Sequence, residues 1–251
     1  METKAPETVE INGKTYSTKE IVKFDIQKIK EENIFDDYKF ANYKYIHYEF
    51  SEVSQNVVIA QNFKIDNKAG IAWDGSFLLV NYFLQKYYPE LKGKEDKIRI
   101  LELGAGPALP GILMGLLGFE TIVTDLPVII PLIKANVETN NATKVEVAAL
   151  DWMKEEDYKK VPQDYDFIFC SELIYREDVF EGLVRTLKHF TKSDNKIIMT
   201  YKIRLEEKNK AFNELFEKEF DVKYLEADEI RKLLPNPNFY LLEAKRKTDS
   251  A

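Results

Sequence analysis

The side chains in this sequence able to do chemistry are carboxylates and aromatics set beside glycines, with almost no histidine or cysteine. Leu101-Glu102-Leu103-Gly104-Ala105-Gly106-Pro107-Ala108-Leu109-Pro110-Gly111 joins an apolar, strand-like run to an apolar, helix-like one. Glycines in a strand-to-helix turn let the backbone come close to a ligand, because no side chain intervenes, and such loops hold nucleotides. Roughly twenty residues further on, Thr124-Asp125-Leu126 ends the next strand-like run, where an acid can accept hydrogen bonds from both hydroxyls of a ribose. A third acid, Glu172, stands three residues before Tyr175 at the end of another strand-like run; open α/β sheets bind ligands at such carboxyl ends.

The details select among nucleotides. Leu109 occupies the place of the third glycine of a dinucleotide fingerprint, which packs helix against strand. No Gly-Lys-Ser/Thr follows the loop, so the phosphate-binding pattern of an NTPase is absent. Glu102 is awkward beside a pyrophosphate but favourable beside an ammonium group. S-adenosylmethionine carries an amine and a sulfonium and no phosphate, and suits that carboxylate best.

The rest of the composition narrows the class. Among 251 residues there are two histidines, His47 and His189, and one cysteine, Cys170. One cysteine excludes an internal disulfide and a Cys-rich zinc or iron–sulfur site, and no metal centre is expected. Thirty-six Lys and Arg against 43 Asp and Glu leave a net charge of −7, which argues against a nucleic-acid surface. No apolar run approaches the roughly 20 residues of a membrane span. The first residues lack a basic segment followed by an apolar one, so a monomeric protein of the cytoplasm, or also of the nucleus, is expected.

These side chains need a scaffold. Strands are expected at 8–13, 43–50 and 56–63, with a helix over 18–33. From about residue 70, apolar runs alternate with amphipathic stretches, which implies an α/β fold with a doubly wound, mostly parallel sheet. The last two strands flank the turn Leu-Leu-Pro-Asn-Pro-Asn at 233–238, so one is expected to run antiparallel. Residues 1–68 read as an N-terminal extension packed on a core domain of residues 69–251.

Taken together, the motifs resemble those of Rossmann-like, seven-strand S-adenosylmethionine-dependent methyltransferases. More narrowly they resemble the family 16 lysine methyltransferases, the methyltransferase-like 21 branch in particular. Gly70-Ile71-Ala72-Trp73-Asp74, Glu102 to Gly106, Thr124-Asp125-Leu126, Leu150-Asp151-Trp152 and Glu172-Leu173-Ile174-Tyr175 carry the resemblance, in order, from about residue 70 onward. Two positions depart from the pattern: Glu172 replaces the usual Asp, and Pro107-Ala108 replaces a small polar residue and a glycine.

The resemblance implies a protein-lysine N-methyltransferase that releases S-adenosylhomocysteine. It places Trp73 and Ser171 beside the cofactor and has Gly104, Ala105 and Gly106 offer amides to the methionyl carboxylate. Asp125 then holds the ribose with Leu126 beside it, Trp152 flanks the adenine, and Asp151 meets its exocyclic amine. Glu172 and Tyr175 form the catalytic pair: Glu172 orients the substrate amine or takes its proton through water, while Tyr175 offers a π face and a hydroxyl. Burial alone leaves Trp73 and Trp152 as core anchors and Glu172 as a helix cap. The group acts on DnaK-type chaperones, translation elongation factor 1A and an AAA ATPase, and Lys202-Ile203-Arg204 is most like the chaperone-directed member. A small-molecule N-methyltransferase and a catalytically inactive binding module remain the alternatives.

Overall fold

The computed structural model describes residues 7–32, 39–40, 42–65, 69–192, 194–204, 206–236 and 238–247. The chain opens with a hairpin of β1 (Thr8–Ile11) and β2 (Lys14–Ser17). Its two-residue turn is Asn12-Gly13, both at positive φ (53° and 74°), the combination a tight hairpin of matching twist requires. β3 (Ile21–Lys23) follows, then α1 (Ile26–Glu31), β4 (Tyr45–Phe50) and β5 (Gln55–Ala60). β4 is central in this second sheet, parallel to β3 and antiparallel to β5.

The helix expected over 18–33 is therefore shorter and is preceded by a strand. Ile21, Val22, Phe24, Ile26 and Ile29 mimic a helical spacing, but pairing with β4 claims residues 21–23. The Asp25 carboxylate then caps α1 by accepting from the Gln27 and Lys28 amides. Asn33, within the expected helix, and Pro237, within the expected turn, lie outside the described residues.

The remaining elements alternate. They are α2 (Asp74–Lys86), α3 (Tyr88–Leu91), β6 (Arg99–Leu103), α4 (Leu109–Leu117), β7 (Glu120–Asp125), α5 (Ile130–Thr139) and β8 (Val145–Ala149). Then come β9 (Phe167–Ser171), α6 (Phe180–Phe190), β10 (Lys196–Lys202), α7 (Glu206–Glu219), β11 (Phe220–Tyr224), α8 (Ala227–Leu233) and β12 (Phe239–Arg246). Seven strands form one sheet in the order β11-β12-β10-β9-β6-β7-β8. Only β12 runs against its neighbours, pairing antiparallel with both β10 and β11. α8, absent from the sequence-based expectation, starts with a capping box between Glu226 and Glu229.

Strand side chains alternate between two apolar layers. Phe167 and Phe169 of β9 join α2, α4, α5 and α8, whereas Ile168 and Cys170 join α6 and α7. The N-terminal sheet belongs to the first layer through Val57 and Ile59. Among the described residues its β5 edge meets no further strand; two buried asparagines, Asn136 of α5 and Asn140 at its C-cap, complete it instead. Asn140 accepts from Val58 N and donates to Val58 O, both at 2.8 Å. One turn earlier, Asn136 accepts from Ala60 N at 2.8 Å and donates to Ala60 O at 3.1 Å and to Pro107 O at 3.0 Å.

Candidate active site

The sheet changes direction between β6 and β9: the chain runs outward from β6 through β7 to β8, then returns to β9 and continues to β10. Loops leaving neighbouring strands part at such a point and open a crevice at their carboxyl ends. A cavity of about 480 Å³ lies there, walled by residues that follow five consecutive strands of the sheet. This is within the range of roughly 300–1,000 Å³ for small-molecule and cofactor sites. Of the expected site residues, Trp73, Gly104, Ala105, Gly106, Asp125, Leu126, Asp151, Trp152, Ser171, Glu172 and Tyr175 all line it.

The floor is the loop after β6. Gly104 has φ +58°, and a Cβ on it would lie 2.5 Å from Leu173 Cδ2 and 2.9 Å from Trp152 Cζ2. Only glycine meets both the backbone angle and the close approach. The amides of this loop are not all directed at the cavity. Ala105 N donates to Thr124 O at 3.0 Å, and Gly106 N donates to Asp125 Oδ2 at 2.7 Å. Two of the three amides expected to meet the methionyl carboxylate are thus used to hold the loop on β7. Ala108, where the resembled pattern has glycine, adopts φ 67° with its methyl fully buried.

Glu102 departs from its expected role. Leu101 and Leu103 face one layer, so the alternation turns Glu102 into the other, beneath the first turn of α4. Its Oε2 accepts from Gly111 N at 2.8 Å, Oε1 has no partner, and the side chain does not line the cavity. Burial, only partly opposed by that hydrogen bond, pushes its carboxyl up to about 8. A largely protonated group under the loop is not a charge facing a ligand ammonium.

Asp125, at the end of β7, also accepts from Leu126 N at 2.7 Å. Burial pushes its carboxyl up to about 6, against the two amide hydrogen bonds that favour the anion. Asp151, after β8, accepts from Met153 N at 3.0 Å and pairs with Lys154 Nζ at 3.1 Å. Leu126, Val128, Met153 and Tyr175 form the exposed apolar rim.

Glu172 sits just beyond β9 at φ 59°, a left-handed turn costly for a residue with a side chain. The turn carries its carboxylate to the start of α2, where Gly75 leaves room: a Cβ there would lie 2.7 Å from Glu172 Cγ and 2.8 Å from Oε1. Around this point Thr200 Oγ1 donates to Gly75 O at 2.8 Å, and the Ser76 and Ser171 hydroxyls share a hydrogen bond of 3.0 Å. Glu172 Oε2 accepts from Lys202 N at 3.3 Å and from Arg204 Nη1 at 2.9 Å. The Arg204 guanidinium in turn lies over the face of Trp73, 5.2 Å from the ring centroid. Tyr175 is 40% exposed at the rim, and desolvation, with the charge of Asp125, pushes its hydroxyl above the ordinary value.

Sequence reasoning did not assign Arg204, Gly75 or Ser76 to the site. Arg204 follows β10 just as Glu172 follows β9, so its place at a strand's carboxyl end was the available signal. Neither histidine lines the cavity: His47 Nε2 pairs with Asn56 Oδ1 at 2.8 Å, and His189 Nε2 with Gln163 Nε2 at 2.6 Å. Among the described residues, no group of three or more His, Cys, Asp or Glu could hold a metal ion.

In sequence and in fold the chain is similar to known methyltransferases. Protein N-lysine methyltransferase METTL21A of Danio rerio is 31% identical over 74% of this chain and 84% of its own length. EEF1A lysine methyltransferase 3 of Xenopus tropicalis is 35% identical over 55% of this chain and 59% of its own. In fold, the chain matches one from the fibrillarin/Nop5p complex with a TM-score of 0.52 at 16% identity, over 76% of this chain and 94% of that one. It matches precorrin-6y C5,15-methyltransferase of Geobacter metallireducens with a TM-score of 0.50 at 15% identity, over 75% and 93%. A family model described as lysine methyltransferase covers residues 52–219, and the chain belongs to that family of S-adenosylmethionine-dependent enzymes.

Proposed function

We propose that this enzyme methylates a lysine of a folded protein, either translation elongation factor 1A or a DnaK-type chaperone, with Glu172 and Tyr175 at the substrate amine. The observation that carries the reading is the convergence of Glu172, Tyr175, Trp73 and Arg204 on one cavity with Asp125 and the glycine loop. The residues present suit the cofactor: an acid for the ribose at Asp125 with Leu126 beside it, Trp152 to flank the adenine, and Asp151 for its amine. S-adenosylmethionine supplies a methyl group already activated on a sulfonium, and so calls for neither a metal nor a covalent nucleophile.

The protein's own work is positional. A lysine with an ordinary pKa near 10.4 must lose a proton before its lone pair can attack. Apolar walls favour that loss by desolvation, and the buried Leu173 and half-buried Trp73 line the cavity with Glu172. Glu172, fixed by its backbone turn and by Arg204, accepts a hydrogen bond from the amine and aims its lone pair. Tyr175 closes the rim with its ring face and hydroxyl. Cys170, buried and unpaired, suits a reducing compartment, cytosol or nucleus.

The test is transfer of labelled methyl groups to purified elongation factor 1A, to a purified DnaK-type chaperone and to a whole-cell extract. The wild-type enzyme is expected to label a protein band that yields methyl-lysine on hydrolysis. Glu172→Ala should cut the rate by about a hundredfold or more and Tyr175→Phe by tenfold or more, with cofactor affinity unchanged. Label found only in small molecules or RNA would overturn the proposal.

A further inference from the structure

A carboxylate next to a substrate amine creates a difficulty. It attracts the ammonium form, raises its pKa and so opposes the proton loss that methyl transfer needs. We infer that Arg204 resolves this as a positioning residue: its guanidinium neutralises Glu172 where the substrate amine arrives, so that the amine is held as the free base. The inference rests on the reading of Glu172 as the acid that faces the amine.

The ion pair is placed for that task. Arg204 Nη1 lies 2.9 Å from Glu172 Oε2, and the Glu172 side chain is only 4% exposed against 31% for Arg204. A guanidinium stays charged at every accessible pH and holds a carboxylate in a fixed fork geometry. Its Cζ lies over the Trp73 ring, 5.2 Å from the ring centroid. All three side chains wall the cavity, so the pair is neither a solvated surface bridge nor a buried brace away from the chemistry.

The other charged groups around the cavity are turned to partners of their own, while Arg204 is paired with Glu172. From α2, Asp74 is paired with Lys39. From the loop after β9, Arg176 is paired with Asp178, and from the loop after β8, Asp151 with Lys154. Asp125 ends β7 and is turned onto the amides of Gly106 and Leu126, and Tyr175 stands on the rim. β10 also offers Glu172 the Lys202 amide. The positive end of the α2 dipole, at Gly75, adds a partial charge of the same sign as Arg204. At an effective dielectric near 20, removing a unit positive charge this close to an amine shifts its titration by about one pH unit or more.

The experiment is the pH dependence of the single-turnover methylation rate at saturating acceptor. The acceptor is elongation factor 1A or, if that is not labelled, the protein labelled in the extract. Wild type, Arg204→Met, Arg204→Lys and Glu172→Gln are compared, with cofactor affinity measured alongside. Arg204→Met should move the midpoint of the acid limb up by about one pH unit, Arg204→Lys should restore most of it, and Glu172→Gln should move it down. A lower plateau with an unmoved midpoint in Arg204→Met overturns the inference and leaves Arg204 a structural residue. If Arg204→Met does not fold, Glu172→Gln decides, and an unmoved midpoint there overturns it equally. A wild-type enzyme that forms no methyl-lysine ends the underlying reading and the inference with it. A labelled lysine with unmoved midpoints ends the inference alone.

Discussion

Glu102 and Asp125 are two acids in one buried corner, and both carboxyls are pushed up by burial, to about 8 and about 6. A carboxyl whose pKa is higher in the folded chain than in the unfolded one holds its proton more tightly when native. Its contribution to stability is complete below the unfolded value and is lost as pH rises through the folded one. For Glu102 that window runs from the ordinary carboxyl value of 4.5 to about 8. Urea denaturation should therefore show wild-type stability falling between pH 5 and 8 more steeply than that of Glu102→Gln, by up to about 1.4 kcal/mol per pH unit. Gln keeps an acceptor for Gly111 N and removes the ionisation; parallel slopes would contradict the assignment. The identity of Glu102 was legible in the sequence but its direction was not. Proximity to the glycines suggested the ligand side, while the alternation of Leu101 and Leu103 decides the face.

The elements place these residues through a few close approaches. α2 comes near enough to the end of β9 for Gly75 to touch the Glu172 side chain. Gly75→Ala should push the carboxylate from its place, lowering methyl transfer about tenfold or more while cofactor affinity measured by calorimetry stays within a factor of two. Asn140→Ala leaves the buried N–H and C=O of Val58 without partners, and chemical denaturation should show a loss of about 2–4 kcal/mol. Most of the large sheet was legible because its strands are apolar runs between helix-like stretches, and the site motifs fall at their carboxyl ends. β3 was not, since its spacing suits a helix until β4 is present to pair with it. β2 was missed although Asn12-Gly13 marks the hairpin, and α8 because its cap is a glutamate rather than a preferred residue. The Arg204–Glu172 pair was hidden for another reason: its members come from loops 32 residues apart in sequence, brought together only by the pairing of β9 with β10.

At the scale of the whole molecule, the cavity opens where both apolar layers end, so its floor and rim are supported from the two sides of the sheet. No helix among the described residues is long and apolar enough to cross a membrane. The family match begins at residue 52 and so takes in β5, which the sequence pattern assigned to an extension ending at residue 68. A fragment of residues 69–251 tests which description is physical. Without β5 it would uncover the apolar surface that Val57 and Ile59 occupy in the first layer, and in size-exclusion chromatography it should elute as larger species than the full chain run alongside it. The asparagine clasp then takes on a further meaning. By filling the hydrogen-bonding edge of β5 with side-chain amides that cannot extend into another strand, Asn136 and Asn140 close that side of the small sheet to pairing with a second molecule. The same two residues that tie the small sheet to the core domain thus also close an edge that would otherwise accept a further strand.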